Sequence, residues 1–190
     1  MQNENEAVER KARLAFLGYS EFDKGYRGGI LVTDEWGKPV EFRCTAPVHP
    51  NPVQRTLYGR TLLPHIAVEL IGAPLLRIVQ EKPELVFVAD EIFFDVRHQS
   101  EMPVLRLHRQ GDEVMVSETS DKGKPAPIMM DSPSAKFQPI VIEAHREFPQ
   151  DLAACRDKLS ELFGRWDLVE PFDRLTKALE YVHQQKVLES

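Results

Sequence analysis

The fold is decided by the stretch GGILVTDEWGKPVEFRCTAPV, residues 28–48, and its continuation HPNPVQRTLYGRTLLPHIAVELIG, residues 49–72. Apolar and β-branched residues flank the turn DEWGK, in which Gly37 supplies the positive φ of a tight connection. After a proline-rich connector the apolar residues change to helical spacing, interrupted by prolines and glycines. We therefore predict a β-hairpin that leads into a kinked helical layer over residues 53–80.

The register of this hairpin decides which side chains share a face. Pairing Val32 with Val40 places apolar residues of both strands on one side, because strand side chains alternate. Glu41 and Arg43 then lie on the opposite side. In this register Leu31 is the residue across from Glu41.

The rest of the chain supplies further strands and helices. The predicted elements are a helix over residues 4–17, a central strand at 85–89, a short helix or strand at 91–96, a hairpin of strands 104–108 and 114–118, a strand at 139–144 and two C-terminal helices. Residues 119–138 combine Pro, Ser, Lys and Gly without periodicity, which predicts a long mobile loop. The sequence thus predicts a single α+β domain over residues 1–190, with a mainly antiparallel sheet, the helical layer and a C-terminal antiparallel helix pair.

Composition narrows the functional classes. No apolar run approaches the roughly 18 residues that span a bilayer, and the polar N-terminus has no signal-peptide pattern. We therefore expect a cytoplasmic protein without a membrane partner. Cys44 and Cys155 lie far apart in the sequence, so neither a CxxC zinc site nor a disulfide framework is indicated.

The net charge of −6 disfavours broad coating of nucleic acid. Nucleic acid is therefore expected to bind only through a local patch. The Gly-rich, basic segment KGYRGG, residues 24–29, is one candidate for contact with phosphate, although no helix N-terminus follows it.

One constellation resembles a nuclease site. Asp34, the E-x-R unit of Glu41 and Arg43, and the helical Q-x-x-x-Y of Gln54 and Tyr58 are similar to the RecB-type branch of the PD-(D/E)xK nuclease superfamily. The resemblance covers residues 28–72. It implies that Asp34 and Glu41 hold Mg²⁺ and that the residue at Arg43 orients water.

The chain departs from that pattern at two positions. Arg43 replaces the family's lysine, and a guanidinium cannot be deprotonated for the same role. The register places Leu31, rather than a carboxylate, across from Glu41, and Asp34 falls at the turn. A second anionic ligand is then missing, and Glu41 and Arg43 become polar residues of a solvated hairpin face.

A second candidate metal site is formed by Asp90, Asp95 and His98 in the segment DEIFFDVRH. It follows the predicted central strand, and open α/β sheets place their sites at the carboxyl ends of strands. The alternative is that these residues cap and turn the chain. The other histidines form no HxH or HExxH pair and are interpreted as ordinary.

No complete catalytic set emerges from these patterns. We therefore expect a non-catalytic accessory or adaptor protein without a cofactor, acting on a protein partner or by self-association. The alternative is a metal-dependent nuclease or phosphodiesterase of restriction-endonuclease-like type, with Mg²⁺ as cofactor. Cleavage of nucleic acid would separate the two.

Overall fold

A computed structural model describes residues 12–23, 25–112 and 123–188, with side chains as far as residue 185. Within these residues one seven-stranded sheet has the order β3-β2-β1-β4-β5-β7-β6. The strands are β1 Arg13–Phe22, β2 Gly25–Asp34, β3 Pro39–Cys44, β4 Leu85–Val88, β5 Val104–Arg109, β6 Ile128–Met130 and β7 Ile140–Ala144. Strands β1, β4 and β5 run parallel, and the other neighbours are antiparallel. The predicted α+β class with a mainly antiparallel sheet is confirmed.

The helical layer is divided into short pieces, as its prolines and glycines indicate. In order these are α1 Pro52–Tyr58, a 3₁₀ turn Gly59–Thr61, α2 Leu62–His65, a π-helical segment Ile66–Gly72 and α3 Ala73–Ile78. A 3₁₀ segment, Glu91–Gln99, follows β4, and the two predicted C-terminal helices are α4 Gln150–Arg165 and α5 Glu170–Leu188.

The run Pro52–Ile78 is, among the described residues, the one helix whose length and apolar composition would allow it to cross a membrane. Within the protein, 44% of its apolar window is buried. The core helix of a protein can have the same length and apolar composition. The buried residues of this helical run pack against the sheet.

Helices cover both faces of the sheet. The π-helical segment, α3 and the 3₁₀ segment pack on the face that carries Ile30, Val32 and Val86. The two C-terminal helices pack on the opposite face, against Phe16 and Phe87. The central strands are consequently buried on both sides, which explains their continuous apolar runs.

The predicted helix over residues 4–17 is wrong for the residues that the structure describes. Residues 13–17 belong to β1 rather than to a helix, and residues 1–11 lie outside the described part of the chain. Leu14, Ala15, Phe16 and Leu17 are all fully buried. A short apolar run buried on both faces carries no period of two, so its sequence does not distinguish a strand from a helix.

The hairpin is confirmed, but its predicted register is wrong. Val32 pairs with Glu41 and Leu31 pairs with Phe42, because an irregularity between Val32 and Thr33 shifts the two strands. A bulge of this kind adds one residue to one strand and changes the face of everything beyond it. Leu31 therefore does not lie across from Glu41.

The segments after β5 are only partly described. The predicted strand at residues 114–118 lies outside the described residues. Of the predicted loop 119–138, residues 123–138 are described and contain the edge strand β6, whose Met130 joins the core. Residues 91–96, predicted to form either a short helix or a strand, belong to the 3₁₀ segment.

Candidate metal centre

Three side chains from two distant parts of the sequence converge at one point. Asp95, His98 and His145 each offer a ligand atom, and these atoms all lie within 4.8 Å of one another. Asp95 and His98 are exposed and His145 is buried. Among the described residues this is the one group of three or more His, Cys, Asp or Glu side chains with that geometry.

The 3₁₀ segment explains why Asp95 and His98 lie side by side. A 3₁₀ helix has 3.0 residues per turn, so residues three apart are eclipsed. The segment begins at Asp90, whose carboxylate accepts the backbone N–H of Ile92 at 3.0 Å. Asp90 therefore caps the segment, and it is not a member of the cluster.

His145 is supplied by the end of β7, which lies on the far side of β5 from β4. It directly follows β7, whose Ala144 pairs with Leu105 near the start of β5. The cluster consequently lies by the amino end of this parallel strand rather than by a carboxyl end. That position differs from the usual site of open α/β sheets.

A largely buried ion pair joins the 3₁₀ segment to the first turn of α4, six residues beyond His145. Arg97 Nε lies 2.8 Å from Asp151 Oδ2, and the side chains are only 15% and 5% exposed. The Arg97 guanidinium also lies over the Phe148 ring, 4.3 Å from its centroid. The ring of His98 packs edge-on against His145, with centroids 4.9 Å apart. These contacts hold the turn after β7 against the 3₁₀ segment.

The hydrogen bonds of His145 identify its tautomer. The backbone N–H of Glu147 donates to Nδ1 at 3.1 Å, so this nitrogen carries no proton. Nε2 lies 3.0 Å from Asp95 Oδ1 and is the donor in the neutral ring. The His145–Asp95 contact is thus a hydrogen bond in the cation-free arrangement.

A cavity of about 520 Å³ opens beside the cluster. His65 and Glu69 of the helical layer line it, and Arg146 and Glu147 of the turn after β7 complete its charged wall. The Glu147 carboxylate lies 3.6 Å from His98 Nε2. The cavity therefore combines imidazoles, carboxylates and one guanidinium beside Asp95 and His98, two of the three cluster residues.

The donor set fits a particular class of cation. Two imidazole nitrogens and one carboxylate oxygen suit Zn²⁺, Mn²⁺, Fe²⁺ or Co²⁺. Mg²⁺ prefers oxygen ligands alone and retains several waters. The residues therefore fit a divalent transition metal better than the Mg²⁺ of the sequence-based alternative.

Glu41, the main candidate from the sequence, has a different set of partners. Its carboxylate accepts the backbone N–H groups of Gln80 and Glu81 at 2.9 and 2.8 Å and the Nε–H of Arg43 at 2.7 Å. Burial pushes its pKa upward, but these hydrogen bonds outweigh that effect and hold the pKa below its ordinary value. Glu41 thereby ties β3 to the chain beyond α3.

The other residues of the nuclease-like constellation have local partners. Asp34 accepts the N–H groups of Trp36 and Lys38 within the hairpin turn. Gln54 forms a capping box with Asn51 at the start of α1. Tyr58 stacks on His65 with ring centroids 4.9 Å apart, which places it behind the cavity wall.

A second cavity, of about 320 Å³, lies at the carboxyl ends of β1 and β4. Its polar lining includes Tyr19, Glu21 and Asp90. Burial, reinforced by the charge of Asp90, raises the pKa of Tyr19 to about 12. Two carboxylates and a neutral phenol offer fewer cation ligands than the His145 cluster.

Sequence patterns indicate Asp95 and His98 as candidate ligands, but they do not indicate His145, His65 or Glu147. The three-residue spacing of Asp95 and His98 is a local signal, since it places both on one side of a 3₁₀ segment. His145 lies 47 positions beyond His98 in the sequence. Only the pairing of β7 with β5 brings it to the cluster, and no local pattern encodes that pairing.

No protein-family model matches the sequence, and no curated protein does. The structure is similar to human Endonuclease V, with a TM-score of 0.61 and 12% identity over 96% of this chain and 89% of that one. The catalytic domain of human Endonuclease V matches with a TM-score of 0.55 and 14% identity, over 94% and 85% of the two chains. Endonuclease V from Streptomyces avermitilis matches with a TM-score of 0.52 and 12% identity, over 93% and 83%. At such low identity these matches show a shared fold.

These findings correct three expectations. The fold is shared with Endonuclease V, so a nuclease relation at the level of fold is supported, but the RecB-type branch is not. The expected non-catalytic adaptor is contradicted, because the solved structures that share the fold are those of Endonuclease V, and the expected protein partner finds no support. The expected absence of a cofactor is contradicted by the cluster of Asp95, His98 and His145.

Proposed function

We propose that the protein is a divalent-cation-dependent phosphodiesterase that acts on nucleic acid, with the cation held by Asp95, His98 and His145. The observation that carries this proposal is the convergence of the three ligand atoms within 4.8 Å. Support for the substrate class comes from the fold, which the chain shares with structures of Endonuclease V.

The chemistry supplied by such a cation is the polarisation of a phosphoryl oxygen and the stabilisation of the charge that develops there. The protein's own groups serve binding and proton transfer. The exposed guanidinium of Arg146 lies 3.7 Å from the Glu147 carboxylate, and its other N–H groups can bind a phosphate at the cavity mouth. The Glu147 carboxylate, beside His98, is within the cavity and is suited to accept a proton from water.

The position of the cavity suits a polymeric substrate. Asp95, His98 and Glu147 are exposed at its wall, so the ligand atoms of Asp95 and His98 are reachable from solvent, whereas His145 lies buried behind them. Although the net charge is −6, a cation in this cluster would offset the local carboxylates of Asp95 and Glu147. Binding of a phosphate backbone is therefore expected to depend strongly on the cation.

Cleavage by cation-stripped protein tests the proposal. Labelled single- and double-stranded DNA and RNA are incubated with Mn²⁺, Zn²⁺, Mg²⁺ or no cation. We expect products only with a cation, and a loss of about 100-fold in His98→Ala and His145→Ala, since each removes a ligand.

The matched control is His108→Gln, which replaces a histidine on β5 outside the cluster and should cleave as the wild type does. All variants are purified in parallel, so a contaminating nuclease would appear in every sample. Cleavage that survives both ligand substitutions, or no cleavage with any cation, would contradict the proposal.

A further inference from the structure

A buried arginine on β2 has no counter-ion among the residues that the structure describes. Arg27 is 1% exposed, and within that part of the chain its Nε and Nη1 atoms have no hydrogen-bond partner. A guanidinium stays charged at every pH at which proteins are folded. Buried charges in proteins are almost always paired, so this one calls for an explanation.

The sheet register shows where Arg27 lies. Arg27 pairs with Ser20 of β1, between the pair Gly18–Gly29 on one side and the pair Phe22–Gly25 on the other. Alternate pairs of an antiparallel ladder share a face, so all three pairs face the same layer. At Gly29 that layer is α5, because a Cβ there would lie 2.9 Å from the Leu179 side chain, whereas a Cβ on Gly25 would lie 2.6 Å from the His49 side chain.

The same helix brings a second unpaired group to this place. The His183 ring stacks on Phe22 with centroids 4.2 Å apart and planes 11° apart. His183 Nδ1 is buried and has no hydrogen-bond partner in the described part of the chain, while Nε2 lies 3.4 Å from the exposed carboxylate of Asp23. Arg27 therefore lies on the face of the sheet that α5 covers, and the next pair on that face contains Phe22, on which His183 stacks.

We propose that Arg27 and His183 form a binding site for a phosphate group beneath the C-terminal half of α5. Guanidinium N–H groups pair with phosphate oxygens in a planar, bidentate geometry, and an imidazole N–H adds a further donor. Ser20, across from Arg27, supplies a hydroxyl at the same level. The His183 side chain is 15% exposed and contacts the surface carboxylate of Asp23, so we expect the ligand to enter beside the His183 ring.

The site stands apart from the Asp95–His98–His145 cluster. The C-terminal helices cover one face of the sheet, whereas the 3₁₀ segment that carries Asp95 and His98 packs on the other. The phosphate is either free in solution or part of a nucleotide or nucleic acid. Phosphate binding here does not require that the protein cleave its ligand.

Thermal unfolding of the full chain tests this site. Melting temperatures are compared in inorganic phosphate, a 5′-mononucleotide, a short oligonucleotide and chloride, all at equal ionic strength. We expect phosphate to raise the wild-type melting temperature in a saturable way. Stabilisation by the oligonucleotide at far lower concentration would identify nucleic acid as the source of the phosphate.

Arg27→Met is the decisive variant, since it keeps the length of the side chain and removes the charge. It should melt no lower than the wild type in chloride, because an unpaired buried charge has been removed, and should not respond to phosphate. His183→Phe keeps the stacking on Phe22 and should weaken phosphate binding about tenfold, as expected for one charge-assisted hydrogen bond.

Isothermal titration of the wild type with inorganic phosphate gives the affinity independently of unfolding. If Arg27→Met does not fold, the response of His183→Phe and this titration decide the question. A wild type that melts identically in phosphate and chloride and shows no binding heat would overturn the proposal. A phosphate response that persists in both variants would overturn it as well.

Discussion

His145 Nε2 lies 3.0 Å from Asp95 Oδ1, and the proton between them belongs to the histidine. The reason is on the far side of the ring, where Nδ1 accepts the Glu147 N–H at 3.1 Å. In most metal sites the second ring nitrogen donates to an acceptor instead. A cation bound at Nε2 therefore requires the ring proton to move to Nδ1. The Nδ1–H group would then face the Glu147 N–H group, and two donors cannot form a hydrogen bond with each other.

Cation binding is accordingly expected to switch the tautomer of His145 and release the Glu147 N–H. The lost hydrogen bond costs about 1 kcal/mol, which a metal–imidazole bond readily exceeds. Nitrogen-15 NMR of the histidine rings, with diamagnetic Zn²⁺, should show Nδ1 change from unprotonated to protonated. His108 should keep its signals, and an unchanged His145 tautomer in the Zn²⁺-saturated protein would contradict coordination through Nε2.

The ion pair of Arg97 and Asp151 is expected to hold the site together. Asp151→Asn leaves the largely buried Arg97 guanidinium without its counter-ion, which should lower the free energy of unfolding by about 3 kcal/mol. Chemical denaturation measures this loss, and Asp157→Asn on the exposed face of α4 is the matched control. Equal stability of the two variants would show that the pair does not anchor the turn after β7.

Acid stability should depend on Glu41. Its folded-state pKa lies below the ordinary value of 4.5, so the ionised form is the one that the fold stabilises. The contribution is present above about pH 4.5 and is lost as the pH falls through the folded-state pKa. Melting temperatures between pH 6 and pH 3 should therefore fall less steeply in Glu41→Gln than in the wild type, although that variant starts lower. Parallel curves of melting temperature against pH for the two proteins would show that Glu41 does not contribute to acid sensitivity.

The metal preference of the cluster should follow its donor set. Two imidazoles and one carboxylate predict that Zn²⁺ and Co²⁺ bind more tightly than Mn²⁺, and all three far more tightly than Mg²⁺. Competition titrations with a chromogenic chelator give the order. His98→Ala should weaken each transition metal, and tighter binding of Mg²⁺ than of Mn²⁺ would point to an all-oxygen site elsewhere.

Local sequence patterns predicted the elements that have a distinct period. The hairpin around Gly37, the strand at 85–89, the last strand and the two C-terminal helices all follow from spacing and turn residues. β1 was missed because Leu14–Leu17 are buried on both faces and carry no alternation. The hairpin register was missed because the irregularity after Val32 has no sequence signal of its own.

The candidate site was less predictable than the fold, for a physical reason. Asp95 and His98 are three residues apart and could be grouped from the sequence alone. His145 joins them only through long-range strand pairing and the Arg97–Asp151 contact, which depend on the whole sheet. Because the three residues of the cluster come from segments that are remote in the sequence, no short sequence motif contains all of them.

The location of the bound cation tests the central claim most directly. Crystals grown with Mn²⁺ and measured for anomalous scattering should show one strong peak about 2.0–2.3 Å from Asp95 oxygen, His98 nitrogen and His145 Nε2. A peak in the cavity of Glu21 and Asp90, or no peak at saturating Mn²⁺, would contradict the assignment of the cation to this cluster.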